Sequence, residues 1–119
     1  MNEEYNNPFR IVNKMKEEFE NRNIEITNIQ HDDYFGGSWI IEFILGKLHY
    51  RFVWDNRENW LVLVFLGKNK NHQKDWKDID IYRYNKTSRT LKEKEALEDF
   101  VIKNIIASLD KLKQTSQDT

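Results

Sequence analysis

The chain has 119 residues, with 19 Lys and Arg against 20 Asp and Glu, a formal net charge of -1 and no cysteine. This length fits one domain with a single core, and the near-neutral charge argues against a strongly basic nucleic-acid-binding protein. The lack of cysteine excludes a disulfide framework, a thiolate nucleophile and a cysteine-ligated metal site. We therefore expect a single domain over 1–119, with frayed ends at 1–6 and 114–119.

The charge is unevenly distributed along the chain. Residues 1–60 carry 7 basic and 11 acidic side chains, whereas residues 61–119 carry 12 and 9, so the fold is expected to be electrically two-sided. The first residues resemble no secretion signal, and no stretch approaches the roughly 18 apolar residues of a membrane span. We expect a cytoplasmic protein without a membrane partner.

The first predicted element is an amphipathic helix from Pro8 to Asn21. Asn7 followed by Pro8 is a typical helix start, and apolar residues then recur at helical spacing between charged ones. A short strand is predicted from Ile24 to Ile29. A polar loop from His31 to Gly37 follows it.

The segment GSWIIEFILGKLHYRFVW, residues 37–54, predicts a β-hairpin. A two-residue turn at Gly46-Lys47, with the positive φ that a type II′ turn requires of glycine, fixes the register. Glu42 then lies directly across from Arg51, a favourable pair. One face of this hairpin is entirely apolar and is the expected core face, formed by Trp39, Ile41, Phe43, Leu45, Leu48, Tyr50, Phe52 and Trp54.

After a loop at 55–59, the run WLVLVFL at 60–66 predicts a further strand that is central or covered on both sides. We assign Trp60 to the core face, and Leu61, Leu63 and Phe65 to the second face of the sheet. Trp76 then remains without a core position, and two alternatives stay open for it: an exposed anchor for a partner, or a cap on the sheet. The candidate partner-binding residues are Ile40, Glu42, Ile44, His49, Arg51, Val53, Leu61, Leu63, Phe65 and Trp76.

The last third of the chain predicts a polar loop from Gly67 to Lys77, a short strand from Ile79 to Tyr84 and a final helix. Thr90 and Glu93 have the spacing of a capping box, and apolar residues continue at helical spacing to about Lys113. The predicted fold class is α+β, an antiparallel meander of four to five strands with the N-terminal and C-terminal helices packed on one face.

No arrangement of side chains in the sequence indicates catalysis or a cofactor. His31 with Asp32 and Asp33 falls short of a metal site, and a solvated loop is the favoured interpretation. His49 near Glu42 has the chemistry of a general base, but no nucleophile is placed beside it. We predict no enzyme activity, no catalytic residue, no metal and no cofactor.

A lysine-rich segment gives the strongest indication of nucleic-acid binding, because cations hold phosphates and an indole stacks on bases. It comprises Lys68, Lys70, His72, Lys74 and Lys77, with Trp76 among them. Its charge is modest, and lysine-rich loops are ordinary solvated structure. Nucleic acid is therefore not the expected partner, and nucleic-acid binding through the loop from Lys68 to Lys77 is kept as a weaker alternative function.

The α-β-meander-α layout and the Trp-rich hairpin SWIIEF...YRFVW resemble the small immunity proteins of bacterial polymorphic-toxin and contact-dependent inhibition systems. This resemblance implies a non-enzymatic inhibitor that binds a cognate toxin domain and covers its active site. A similarity to type III secretion chaperones implies a homodimer, although the middle helix of those chaperones is not apparent here. We expect a protein partner, either a toxin domain or a second copy.

The second sheet face is too apolar to be left bare to water. Three alternatives for what covers it remain open at this point: the segment from Gly67 to Arg89, a second copy of the chain, or a different protein.

Overall fold

The computed structural model describes residues 7–32, 37–68, 70–85 and 90–117. They form an antiparallel five-stranded meander in the order β1-β2-β3-β4-β5, with helices before and after the sheet, which confirms the predicted α+β class. The elements are α1 (Pro8–Lys14), α2 (Lys16–Asn21), β1 (Ile24–Asp32), β2 (Ser38–Leu45), β3 (Leu48–Asp55), β4 (Trp60–Lys68), β5 (Lys74–Arg83) and α3 (Leu91–Gln117).

The central hairpin of β2 and β3 has the predicted register. Leu45 pairs with Leu48, Glu42 with Arg51 and Ile40 with Val53. Gly46 has a φ of 65°, a conformation that glycine adopts without steric penalty. The turn and the cross-strand charge pair therefore identify the same register, and that register decides which side chains enter the core.

One hydrophobic core lies between the sheet and the helices, so the N-terminal and C-terminal helices pack on the same face of the sheet, as predicted. The buried cluster consists of Ile11, Met15, Phe19, Ile24, Trp39, Ile41, Phe43, Tyr50, Phe52, Trp54, Leu61, Leu63, Leu97, Val101, Ile105 and Leu109. Leu45 is only partly buried against this cluster, and Leu48 is 46% exposed. Leu48 lies on the core face as predicted, since it pairs with Leu45, but it is not buried because it borders the hairpin turn at the end of the sheet.

The helix starts agree with the sequence, but the lengths differ. The Asn7 side chain accepts a hydrogen bond from the Phe9 amide, and Thr90 and Glu93 form the reciprocal hydrogen bonds of a capping box. The predicted helix from Pro8 to Asn21 is interrupted at Met15, whose φ of -101° and ψ of 10° depart from helical values. No glycine or additional proline in the sequence signals this interruption.

Each of the two outer strands contains a β-bulge. In β1 the extra residue is Thr27, and in β5 it is Ile79. A bulge reverses the alternation of side chains along its strand, because two residues there oppose one on the neighbour. As a result, Tyr82 faces the core, where its hydroxyl accepts a hydrogen bond from Ser108 of α3.

Several predicted boundaries were wrong. β1 extends to Asp32, and α3 continues to Gln117, four residues past its predicted end. The predicted loop at 67–77 is largely strand, because β4 runs to Lys68 and β5 begins at Lys74. Polar side chains are tolerated in β5 because it is an outer strand with solvent beside it. The predicted frayed residues 1–6 and 118–119, the loop residues 33–36 and residues 86–89 of the proposed covering segment lie outside the described residues.

Candidate functional site

The side of the sheet opposite the core is the candidate site, and we call it the open face. The helices pack on the other side. The described part of the proposed covering segment, 67–68 and 70–85, extends the sheet through β5 rather than folding across this face. The structure places seven of the predicted partner-binding residues here: Ile40, Glu42, Ile44, His49, Arg51, Val53 and Trp76.

Three predicted site residues belong to the core instead. Leu61 pairs with Trp54, Leu63 with Phe52 and Phe65 with Tyr50, and directly paired residues share one face of a sheet. Leu61 and Leu63 are 0% and 1% exposed, and the Phe65 ring centroid lies 5.3 Å from that of Tyr50. The assignment of these three residues to the open face was wrong.

The turn between β3 and β4 explains the error. Asp55 pairs directly with Trp60, so the connection is a four-residue turn, and Asp55 Oδ1 accepts hydrogen bonds from the amides of Arg57 and Glu58. Such an Asx turn is encoded by the sequence Asp-Asn-Arg-Glu-Asn and was the available signal. Starting the pairing at Asp55 places Trp60, Val62, Val64 and Leu66 on the open face, and none of these four β4 residues was among the predicted site residues.

An apolar stripe crosses the open face at right angles to the strands. Ile40 of β2 pairs with Val53 of β3, Val53 pairs with Val62 of β4, and Val62 pairs with Ile81 of β5. Ile81 is 42% exposed, and the other three are partly exposed. Four β-branched residues in one row therefore present a continuous apolar surface on this side of the sheet.

Beside the stripe, Arg51 and Trp76 form a stacked pair across β4. The Arg51 Cζ lies 4.1 Å from the centroid of the Trp76 ring. Val64 lies between their strands and is only 5% exposed, because these two side chains cover it. The Arg51 Nη1 is 3.9 Å from Glu42 Oε1, an ion pair too long for a hydrogen bond. The Arg51 guanidinium is therefore held in place by the Trp76 ring, and its N–H groups remain able to donate hydrogen bonds to an acceptor on a partner.

A second stacked pair borders the other side of the stripe. Arg83 Cζ lies 5.0 Å from the centroid of the Trp60 ring, and the two residues are cross-strand partners. Assigning Trp60 to the core face was wrong, for the same reason as with Leu61. Tryptophan and arginine are the residues most enriched at the energetic centres of protein interfaces. The open face carries two such pairs on either side of an apolar row.

The lysine-rich segment does not form one basic patch. Lys68 and Lys74 are cross-strand partners on the open face, whereas Lys77 pairs with Phe65 and belongs to the core side of the sheet. The indole of Trp76 is occupied by Arg51, so stacking on a base requires this contact to open. This placement spreads the basic side chains over both faces of β5.

On the core side, a buried ion cluster connects α1 to α3. Glu98 is 1% exposed; Arg10 Nε donates a hydrogen bond to its Oε2 at 2.6 Å, and Lys14 Nζ donates one to its Oε1. Burial by itself raises the pKa of Glu98, but the hydrogen bonds from Lys14 and Arg10 outweigh it and hold the pKa below its ordinary value. The cluster is structural, since it joins two helices that pack on the same core.

No protein-family model, curated protein or solved structure matches this chain. Within residues 7–32, 37–68, 70–85 and 90–117, no group of three or more His, Asp or Glu side chains is arranged to hold a metal ion. In the same part of the chain, no helix has the length and apolar character needed to cross a bilayer. The open face is therefore the candidate functional site of the described residues.

Proposed function

We propose that the chain is a non-enzymatic protein-binding module that binds its partner through the open face. The observation that carries this proposal is the apolar stripe, which runs across four adjacent strands with no described element packed over it. A β-sheet face that serves only as solvated surface normally carries polar residues. Exposed contiguous apolar surface on a small domain marks an interaction site.

The surroundings of the stripe match the composition of protein interfaces. The Arg51–Trp76 and Arg83–Trp60 pairs supply rigid aromatic surface and oriented charge, and Glu42 and Asp78 add polar groups at the rim. Interfaces combine an apolar centre with aromatic and arginine anchors and a polar rim. By contrast, His49 is exposed next to the hairpin turn and pairs with Ile44, an arrangement that offers no enclosed site for a reaction.

The resemblance to immunity proteins gives the proposal a biological form. In that form, the partner is a toxin domain, and the open face covers the part of the toxin that acts on its target. The localisation proposed with this role is the cytoplasm, where an immunity protein meets an incoming toxin.

Site-specific photo-crosslinking tests the proposal. A photo-reactive amino acid replaces Ile81 on the open face, and in a matched variant it replaces Leu91, which is 61% exposed at the start of α3. We expect irradiation in a native extract to give a defined protein adduct from position 81 and only background from position 91. Equal labelling at the two positions, or no protein adduct from position 81, refutes binding through the open face.

A further inference from the structure

The charged residues of the open face are separated by sign across the sheet. On the β1–β2 side, three acidic residues occupy open-face positions of the register, Glu25, Asp32 and Glu42. On the β4–β5 side, Lys68, Lys74 and Arg83 outweigh Asp78, which leaves two positive charges. On β3 between them, Arg51 and Asp55 cancel. Among the described residues, the open face therefore has an acidic side and a basic side, with the apolar stripe connecting them.

We propose that the partner of the open face is a second copy of this chain, bound face to face about a two-fold axis that runs parallel to the strands above β3. This inference rests on the proposed function, because it names the occupant of the same face, and it places a second copy there instead of a toxin domain. The rotation places β1 of one copy over β5 of the other. It brings the acidic side of each copy onto the basic side of its partner, so both ends of the interface are attractive.

The same rotation matches the apolar surfaces. A two-fold axis along the strands leaves each row of residues at the same height, so Ile40, Val53 and Val62 of one copy lie on the same three residues of the other, while Ile81 lies over Gln30 of β1. Ile40 of one copy then faces Val62 of the second, and Val53 lies near the axis. The other face-to-face axis, perpendicular to the strands, places β1 on β1 and opposes like charges. The charge pattern thus selects one axis.

Arg51 fits this arrangement although its strand lies at the axis. Its guanidinium extends over Val64 to Trp76, away from the axis and toward β5. In the dimer, this position lies beneath β2 of the second copy, where Glu42 projects from the same row. The intramolecular ion pair between Arg51 and Glu42 is long, at 3.9 Å. A carboxylate from the second copy therefore meets a guanidinium that has donors to spare.

The size of the face is sufficient for a specific dimer. Five strands spaced about 4.8 Å apart and about eight residues long, at roughly 3.3 Å per residue, give a flat area of about 600 Å² per copy. Two copies bury about 1,200 Å², at the lower end of the range for specific, stable interfaces. A dissociation constant in the micromolar range is expected, so the mass in solution depends on protein concentration.

Sedimentation equilibrium at concentrations from about 1 μM to 1 mM provides the first test. We expect the mass to rise from the 14.5 kDa of one chain to twice that value. Val53→Lys, which brings two lysines together near the axis, is expected to keep the chain monomeric, whereas Leu91→Lys, an equally drastic change away from the face, leaves the dimer intact. A monomer at every concentration overturns the second-copy inference, as does a dimer that tolerates Val53→Lys.

Charge reversal tests the axis. Glu25→Lys and Lys74→Glu change exposed residues on opposite sides of the face, and each is expected to weaken the dimer about tenfold by opposing like charges at both ends. Mixing the two variants is expected to restore dimerisation. In the mixed dimer, the two reversed charges attract each other at one end of the interface, and the native Glu25 meets the native Lys74 at the other. A mixture no tighter than either variant alone overturns the proposed axis.

The two proposals fail in different ways. A monomeric chain whose position 81 crosslinks to a different protein refutes the second copy but supports binding through the open face. A monomeric chain without a specific adduct at position 81 refutes both. An adduct at position 81 with twice the mass of the chain supports both.

Discussion

Replacing Glu98 with Gln tests whether the buried ion cluster stabilises the attachment of α1 to α3. The substitution keeps the size and one acceptor oxygen but removes the negative charge that Arg10 and Lys14 share. Both cations remain beside a neutral amide. We expect a lower free energy of unfolding, with no change of fold, because the apolar contacts around the cluster are unchanged.

The magnitude follows from the exposure of the partners. Removing one member of a fully buried ion pair costs about 3–5 kcal/mol, because a buried charge is left uncompensated. Here the side chains of Arg10 and Lys14 are 35% and 44% exposed, so water partly solvates them after the change. We therefore expect a loss of about 1–3 kcal/mol at neutral pH.

The pH dependence has a definite sign. The pKa of Glu98 is lowered from its ordinary value of 4.5, so folding favours the ionised form. This contribution is present in full above the unfolded-state pKa and is lost as the pH falls through the lower folded-state pKa. The stability difference between wild type and Glu98→Gln should be constant near neutral pH and narrow below about pH 4.5.

Urea unfolding monitored by tryptophan fluorescence provides the assay, since Trp39 and Trp54 are fully buried and report loss of the core. Glu95→Gln is the matched control, because Glu95 is exposed on the same helix and its loss should change stability by less than about 0.5 kcal/mol. If Glu98→Gln is no more destabilising than Glu95→Gln, or if the difference does not narrow in acid, the reasoning is refuted.

Three further predictions concern the fold. Leu63→Ala should lower the free energy of unfolding by about 2–5 kcal/mol by opening a cavity, and Leu48→Ala, at an exposed site, by less than about 1 kcal/mol; equal losses in urea unfolding would contradict the burial of Leu63 in the core. Gly46→Ala should cost about 1 kcal/mol by thermal unfolding through strain alone, since φ is 65° and open space surrounds the new methyl group, while Lys47→Ala is the near-neutral control. Thr90→Ala should cost about 1 kcal/mol by removing the cap, and Thr90→Ser should recover most of it; a loss that Ser does not recover argues against the capping hydrogen bond.

The parts of the fold that the sequence predicted are those with a local determinant. Gly46 fixes a tight turn, and Glu42 opposite Arg51 supports the same register, so the hairpin and its core face followed. The Thr90–Glu93 pattern similarly located the start of α3. In each case the interacting residues are close in sequence, and their chemistry permits few other conformations.

The parts that were missed depend on contacts between elements. Thr27 and Ile79 become bulges only through the strands beside them, and each bulge reverses the alternation that a sequence pattern assumes. Ile24 and Ile26 are two positions apart, whereas Ile26 and Ile29 are three positions apart because the bulge lies between them. All three nevertheless pair with core-face residues of β2. The open-face residues of β2 and β3 were predicted correctly, whereas those of β4 were assigned one position away from the observed ones, because the turn at 56–59 sets the register of β4.

The two bulges also bear on how the protein avoids aggregation. β1 and β5 are the edges of the sheet, and each carries its extra residue within the strand, at Thr27 and Ile79. An irregular, more strongly twisted edge is a poor template for another strand, which is how natural proteins suppress open-ended β-assembly. Growth of the sheet into a fibre is therefore discouraged at both edges. The face-to-face pairing proposed above, by contrast, is closed: it covers the open face of both copies, so no third copy can join through that face.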